Sequence, residues 1–560
     1  MKGSDDMKVL PIGIENFKEM IDKDFYYVDK TDFICEVLKE SFALYTRPRR
    51  FGKTLNMSML YYFFSIKEKD NHYLFDGLKI SDNKKAMQYQ NQFPVIFMTL
   101  KDMKSISFEG QKEQFADIIK NIVLQNKELL TSNNVDESDK MILDDYRFLK
   151  SSDKQLQNSL KTISRCLMNY YHKKVIILID EYDVPLQSAY INGYYDEMVD
   201  FLRSVFSTAL KTNDSLEKGV LTGCLRIAKE SIFTGLKNFN VYSILDYGNE
   251  KSFGFTEKEV KQILDDYQLS KYFDEVKDWY DGYLFGETEI YNPWSTLKYV
   301  HRKCYNKMAE PLSFWANTSG NDIVYQYIKD GDMTMKEEFE KLVQGKSIQK
   351  NIRCELTYRD MDNIDNIYSF LLLTGYLRTN GHVYDEKTKQ VIPHTYELVI
   401  PNKEVKEIYE QSFMDYFNNY TKDRKKELYE SLLEKNIEKS YDLLNSILEN
   451  SISYYNSYES FYHGFLVGLF SEYETESNRE ADKGRFDLVI YPRRILGTVL
   501  VIECKHSQDD AYLIEDSEKA ARQIIEKRYL ENRNIKKYRH AIGYGISFYK
   551  KQCYITKTQD

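Results

Sequence analysis

A chain of 560 residues is longer than one hydrophobic core sustains, so several domains of about 150 residues are expected. Its 42% hydrophobic and 29% charged residues exclude global disorder, and no stretch approaches the roughly 20 apolar residues that span a bilayer. The net charge of -9 disfavours indiscriminate nucleic-acid binding, which would have to rest on local basic patches.

In chain order, the first apolar runs are Phe42-Ala-Leu-Tyr45, Pro94-Val-Ile-Phe-Met98, Val175-Ile-Ile-Leu-Ile179 and Gly219-Val-Leu-Thr222. Runs of this length between amphipathic stretches predict buried strands of a mainly parallel sheet, hence an α/β domain over residues 8–240. Helix-forming sequence dominates residues 241–450, as in Glu257-Lys-Glu-Val-Lys-Gln-Ile-Leu264, and predicts a mainly helical connector or lid. Residues 451–555 predict one helix, two or three strands, a second helix and a last strand near Ala541-Ile-Gly-Tyr-Gly-Ile546, a smaller α/β unit. Seven cysteines lie far apart without a CxxC pair, which argues against a disulfide framework and a zinc cage. The opening Met1-Lys-Gly-Ser-Asp-Asp has no apolar leader core, and a cytoplasmic protein without a membrane partner is expected.

After the strand at Phe42 comes Arg47-Pro-Arg-Arg-Phe-Gly-Lys-Thr54, then a helical pattern from Leu55. A strand, a tight loop ending Gly-Lys-Thr and a helix form a P-loop arrangement. There the loop and the helix N-terminus hold phosphate, Lys53 reaches the terminal phosphates and Thr54 holds Mg²⁺. Arg47 stands where the first glycine usually stands, so the turn must be made differently, and the alternative is an ordinary basic loop before a helix. The strand Val175–Ile179 strengthens the nucleotide reading, because it ends in Asp180 and Glu181. Asp180 is suited to the Mg²⁺ shell and Glu181 to polarising an attacking water. Arg50, Gly52, Lys53, Thr54 and Asp180 are thus the expected ATP-binding residues, with Thr222 and Arg226 as candidate contacts near the terminal phosphate.

In the last unit, Arg485-Phe-Asp487-Leu-Val-Ile-Tyr491 and Thr498-Val-Leu-Val-Ile-Glu503-Cys-Lys505 read as successive strands. A period of two puts Glu503 and Lys505 on one face. Carboxylates converging from adjacent strands can hold hard divalent cations, so Asp487 and Glu503 are candidate metal ligands. A nearby Lys505 can stabilise the charge that develops during phosphodiester cleavage. Asp487 and Glu503 are separated by fifteen residues, and Glu503 and Lys505 by one, which is the spacing of a PD-(D/E)XK nuclease core. Glu459, four residues before His463 on the preceding helix, is a further candidate, with a solvated helix-start glutamate as the alternative. Gln523 and Lys527 share a face of the following helix, within a basic stretch that includes Arg522, Arg528, Arg533, Lys536, Lys537 and Arg539.

Leu10-Pro-Ile-Gly-Ile-Glu-Asn-Phe17, Tyr26-Tyr-Val-Asp-Lys-Thr31, Arg47–Thr54, Leu178-Ile-Asp-Glu-Tyr-Asp183, Trp279-Tyr-Asp-Gly-Tyr283 and Tyr291-Asn-Pro-Trp294 together resemble the AAA-ATPase-like family with a C-terminal PD-(D/E)XK nuclease domain. The arginine at the first P-loop position belongs to that family's pattern. The resemblance implies an ASCE-type P-loop domain coupled to a DNA-directed nuclease. The expected cofactors are ATP and Mg²⁺ and the expected partner is nucleic acid, DNA foremost. The sequence leaves open the oligomeric state, a homo-oligomer included. It also leaves open a second class of function, a nucleotide-dependent switch or DNA-binding scaffold whose nuclease fold does not cut.

Overall fold

The computed structural model describes residues 7–227, 239–315, 322–362, 364–449, 459–470, 473–477, 480–481, 484–485, 487–492 and 494–559. The chain divides into two compact units, one of Met1–Thr318 with Ser347–Glu407 and one of Ser319–Lys346 with Ile408–Asp560. Among the described residues no helix is long and apolar enough to cross a membrane.

The first unit is built on five parallel strands, β1 (Phe42–Thr46), β2 (Val95–Thr99), β3 (Val175–Asp180), β4 (Leu216–Gly223) and β5 (Phe239–Tyr242), in the order β2-β3-β4-β1-β5. β3 is buried along its whole length, as five consecutive aliphatics require of a strand covered on both faces. β4 lies between β1, which leads into the Gly-Lys-Thr loop, and β3, which ends in Asp180. This is the ASCE-type arrangement expected of the N-terminal domain. The helix Lys53–Phe64 leaves the loop with Gly52 as its N-cap, at φ 82°. That left-handed backbone suits glycine, and the space where a Cβ would stand is open.

Helices predominate in the middle of the chain, as the sequence predicts, but they are interleaved with two small antiparallel sheets that it does not. One joins β6 (Phe255–Thr256), β7 (Tyr283–Phe285) and β8 (Thr288–Tyr291); the other joins β9 (Ile348–Asn351), β10 (Arg378–Tyr384) and β11 (Val391–Val399). The helix Lys403–Leu433 begins in the first unit and from Ile408 on belongs to the second.

The second unit holds β12 (Glu474–Ser477), the short pair β13 (Glu480–Ala481) and β14 (Gly484–Arg485), β15 (Leu488–Tyr491), β16 (Thr498–His506), β17 (His540–Tyr549) and β18 (Gln552–Lys557). Its main sheet runs β12-β15-β16-β17-β18. β16 and β17 are parallel and joined through the helix Leu513–Glu526, since a parallel pair needs a crossover. Alternation sorts the sheet into two faces. Leu488, Ile490, Leu500, Ile502 and Cys504 pack with Leu444, Tyr462 and Leu466 of the bundled helices. Val489, Val499 and Val501 pack with Ile524 and Tyr529 on the crossover side. Gly545 lets that crossover helix come close: a Cβ there would stand 2.2 Å from the carbonyl oxygen of Ser517 and 2.3 Å from the amide of Ala521.

Candidate functional site

Parallel register brings the C-terminal ends of the first sheet to one edge. Thr99 of β2 pairs with Asp180 of β3, and one step beyond Ile179↔Leu221 sets Asp180 beside Thr222 of β4. Three hydroxyls therefore converge on one carboxylate. Thr222 Oγ1 donates to Asp180 Oδ1 at 2.5 Å, Thr54 Oγ1 to Oδ2 at 2.8 Å, and Thr99 Oγ1 approaches Oδ2 at 3.4 Å. Asp180 is fully buried, and burial pushes its carboxyl up from the ordinary value, with Glu181 acting in the same direction and the Thr222 and Thr54 hydroxyls against it. Glu181 follows directly in a left-handed backbone at φ 52°, which breaks the strand's alternation at the place where the acids leave the sheet.

Lys53 is buried, and its ammonium donates to the carbonyls of Arg47 at 3.0 Å and Pro48 at 3.1 Å, with Cys224 Sγ at 3.7 Å. Burial works against that charge, yet Cys224, Glu181, Asp183 and Asp180 together hold it above the ordinary value. The helix N-terminus above Gly52 is suited to an anion. The oxygens of Thr54 and Asp180 are the hard ligands Mg²⁺ takes. The donor set thus fits a nucleotide with its metal. Arg226 pairs with Glu355 at 2.6 Å.

Arg47 does not face solvent. Its fully buried guanidinium donates to the carbonyls of Thr46 at 2.8 Å, Tyr242 at 2.7 Å and Asn249 at 3.2 Å, with its central carbon 5.2 Å from the rings of both Phe253 and Phe285. Burial pulls it down to about 10, so it stays charged at neutral pH. The turn that a glycine would make elsewhere is held here by a side chain tying the end of β1 to the end of β5. Arg50 is exposed, with φ 71°, and its guanidinium stacks 4.3 Å from the Trp294 ring.

Two groups near this edge escaped sequence reasoning. Asp183 is buried and accepts the amides of Cys224 at 2.8 Å and Leu225 at 2.9 Å, so it shapes the turn after β4. It belongs to the word Leu178–Asp183, which was its only local signal. Thr99 had none, because only register across the sheet brings it to Asp180.

In the second unit, Leu488 pairs with Ile502 in the antiparallel β15/β16 ladder, so continuing the register by one residue sets Asp487 opposite Glu503. Directly opposed side chains share a face with Cβ atoms about 5 Å apart. Asp487 Oδ2 accepts the amide of Cys504 at 2.8 Å, and Gln523 of the crossover helix donates to Glu503 Oε1. Lys505 lies two residues along β16 on that same face, half-buried, opposite Ser547 of β17. Tyr529 was not foreseen. Burial raises its hydroxyl, Gln523 bonds to it, and the charges of Glu503 and Asp487 raise it further. The helix Glu459–Leu469 packs on the opposite face through Tyr462 and Leu466. Its start lies near the end of β16, since Tyr462 stacks on Phe548 at 4.5 Å and His506 at 5.8 Å. The side chains of Glu459 and His463 lie outside the described residues. Lys527, Arg528, Arg533, Lys536, Lys537 and Arg539 are all exposed.

Among the described residues no three or more His, Cys, Asp and Glu side chains come together as a metal cage. A pair of carboxylates is nonetheless what Mg²⁺ commonly takes from protein, the rest of its shell being water and phosphate. Asp487 and Glu503 meet that requirement.

A curated protein of Azotobacter chroococcum mcd 1, described as an uncharacterized protein in the vnfD 5′ region, is 29% identical over 297 residues, 52% of this chain and 51% of the relative. The chain thus spans about half the length of that relative. A solved structure of the Aeropyrum pernix ORC2 protein in ADPNP-ADP complexes is similar at 10% identity over 68% of this chain and 92% of that one, with a TM-score of 0.25. Family models match in two places, a predicted AAA-ATPase over residues 11–233 and the PD-(D/E)XK nuclease superfamily over residues 457–558. With the parallel sheet under the first and the Asp487/Glu503 ladder inside the second, the chain joins a predicted AAA-ATPase domain to a C-terminal domain of the PD-(D/E)XK nuclease superfamily.

Proposed function

We propose that the protein is an ATP-binding, Mg²⁺-dependent nuclease that cuts phosphodiester bonds in DNA, with cutting regulated by the ATPase domain. The observation that carries this reading is the opposition of Asp487 and Glu503 across β15 and β16, with Gln523 on Glu503 and Lys505 on the same face. Each residue has a task. Asp487 and Glu503 would hold the cation, which when bound supplies Lewis-acid charge for the phosphoryl oxygens. The hydrogen bonds from Cys504 and Gln523 fix the two carboxylates in orientation. Lys505 offers a positive charge where negative charge develops, and one such contact typically contributes about 10²–10³ in rate. The exposed basic run from Lys527 to Arg539 gives phosphates a landing surface that the net charge of -9 does not.

At the other site Gly52 and the helix N-terminus would cradle the phosphates, with Lys53 and Arg50 adding charge. Thr54 and Asp180 would hold Mg²⁺, Glu181 would polarise water, and Thr222 would position Asp180. The test is plasmid and oligonucleotide cleavage with and without Mg²⁺. Wild type is expected to cut only with the metal and Asp487→Ala to lose at least about 10²-fold in rate while still binding DNA. Undiminished cutting by Asp487→Ala would remove the assignment.

A further inference from the structure

We propose that the occupancy of the P-loop is read by two adjacent residues, Trp294 and Ser295, and passed to the first turn of the helix Lys403–Leu433. The proposal rests on the reading that the loop binds ATP and that cutting responds to it, and it names the positioning residues of that response.

The loop grips the β6–β8 module on its outer side. Phe51 is buried with its ring edge-on to Tyr283 at 4.9 Å, its carbonyl accepts the amide of Gly254 at 3.1 Å, and Asn56 donates to the carbonyl of Ser252 at 2.8 Å. These contacts leave the loop's outer residue, Arg50, as the group most open to change. It is exposed, its backbone is left-handed at φ 71°, and its guanidinium rests on the face of Trp294. A bound polyphosphate competes with that ring for the guanidinium. A charge-assisted hydrogen bond to phosphate is stronger than an exposed cation–π contact. Trp294 therefore has two settings that nucleotide distinguishes, which is what a ligand must do to shift an equilibrium.

The next residue carries the change inward. Ser295 donates to Glu404 Oε1 at 2.8 Å, and the same oxygen accepts the amides of Phe314 at 2.8 Å and Trp315 at 2.9 Å. Glu404 is fully buried, and its other oxygen, Oε2, has no hydrogen-bond partner among the described residues. A buried carboxylate satisfied on one oxygen only is costly, so a rearranged first turn lies close in energy. That turn is fastened to the same module a second time. Gly282, at φ 93°, admits Pro401 so closely that a Cβ would stand 2.0 Å from its carbonyl oxygen, and Asn402 donates to the carbonyl of Asp281 at 2.6 Å. The path Arg50, Trp294, Ser295, Glu404 is contiguous, and its end is the start of a helix whose residues from Ile408 belong to the unit that holds Asp487 and Glu503.

The experiment compares wild type, Ser295→Ala and Trp294→Leu in full-length protein. ATP affinity is read with a fluorescent ATP analogue, plasmid cutting with and without ATP, and amide hydrogen exchange over residues 402–410. Wild-type cutting is expected to respond to ATP by about 5–150-fold, the usual span of coupling between sites, with a change in exchange over that turn. Ser295→Ala is expected to bind ATP normally and Trp294→Leu to bind it up to about fivefold more tightly, because the ring that competes for Arg50 is gone; both are expected to cut normally without nucleotide, while the response falls below about twofold and the exchange change disappears. Ser295→Ala removes one hydroxyl and serves alone should Trp294→Leu not fold. A full ATP response in Ser295→Ala overturns the relay and leaves the regulatory reading standing. A wild type that binds ATP yet cuts at one rate throughout overturns both, and a wild type that does not bind ATP overturns the nucleotide reading first.

Discussion

Replacing Glu404 by glutamine tests the energetics of the buried first turn directly. Burial pushes this carboxyl from the ordinary 4.5 up to about 7, against the pull of Ser295 and the amides of Trp315 and Phe314, with Glu407 adding to the rise. The difference of about 2.5 pH units, at about 1.4 kcal/mol each, corresponds to about 3 kcal/mol. The folded carboxyl keeps its proton to higher pH than the unfolded one. Between about pH 4.5 and 7 the folded chain therefore binds more protons, and stability falls as pH rises through that window before levelling off. The amide of Glu404→Gln keeps an acceptor for Ser295, Phe314 and Trp315 but does not titrate, so whatever the substitution itself costs is the same at every pH. The stability of Glu404→Gln relative to wild type is thus expected to rise by up to about 3 kcal/mol from pH 4.5 to 8. All three tryptophans, Trp279, Trp294 and Trp315, lie within Met1–Thr318, so urea unfolding followed by tryptophan emission reports on the first unit. A difference that stays flat between pH 5 and 8, or that falls, would refute the reasoning.

Arg47→Gly, which restores the usual first glycine, is expected to lower the stability of the first unit by about 1–3 kcal/mol, because it takes a buried donor from three carbonyls; thermal unfolding with an unchanged midpoint would contradict this. Thr222→Val is expected to cost Asp180 its shortest hydrogen bond, a loss of about 1–3 kcal/mol, and to weaken Mg²⁺-dependent ATP binding measured by calorimetry. Gly545→Ala is expected to destabilise the second unit by about 1–3 kcal/mol, since the new Cβ meets helix backbone rather than a movable side chain; protease resistance of residues 408–560 equal to wild type would count against it.

What the sequence revealed follows from the range over which each signal acts. The strand, loop and helix around Gly52 and the acids ending β3 are local patterns and were legible. So was the shared face of Glu503 and Lys505, which needs only the period of a strand, and the fifteen-residue interval is long enough for Asp487 to return opposite Glu503. The hydroxyls on Asp180 were only partly legible: Thr54 and Thr222 lie in recognisable elements, whereas Thr99 depends on the order of three strands. The burial of Arg47 was hidden because its partners at Tyr242 and Asn249 are about 200 residues away. The two small sheets were hidden for another reason. β10 reads Arg-Thr-Asn-Gly-His-Val-Tyr and β9 Ile-Gln-Lys-Asn, neither of which carries the apolar alternation that marks a strand. Glu404 in its lysine- and glutamate-rich helix looks like a solvated residue until the fold buries it.

The most direct test of the central claim measures DNA cleavage rates of wild type, Lys53→Ala and Asp487→Ala in Mg²⁺ with no nucleotide, ADP, ATP and a nonhydrolysable ATP analogue. Wild type is expected to cut in a metal-dependent way that varies with nucleotide, Lys53→Ala to cut at a rate that ignores it, and Asp487→Ala not to cut in any condition. Equal wild-type rates in all four conditions would contradict the regulation, and cutting by Asp487→Ala at the wild-type rate would contradict the assigned nuclease site.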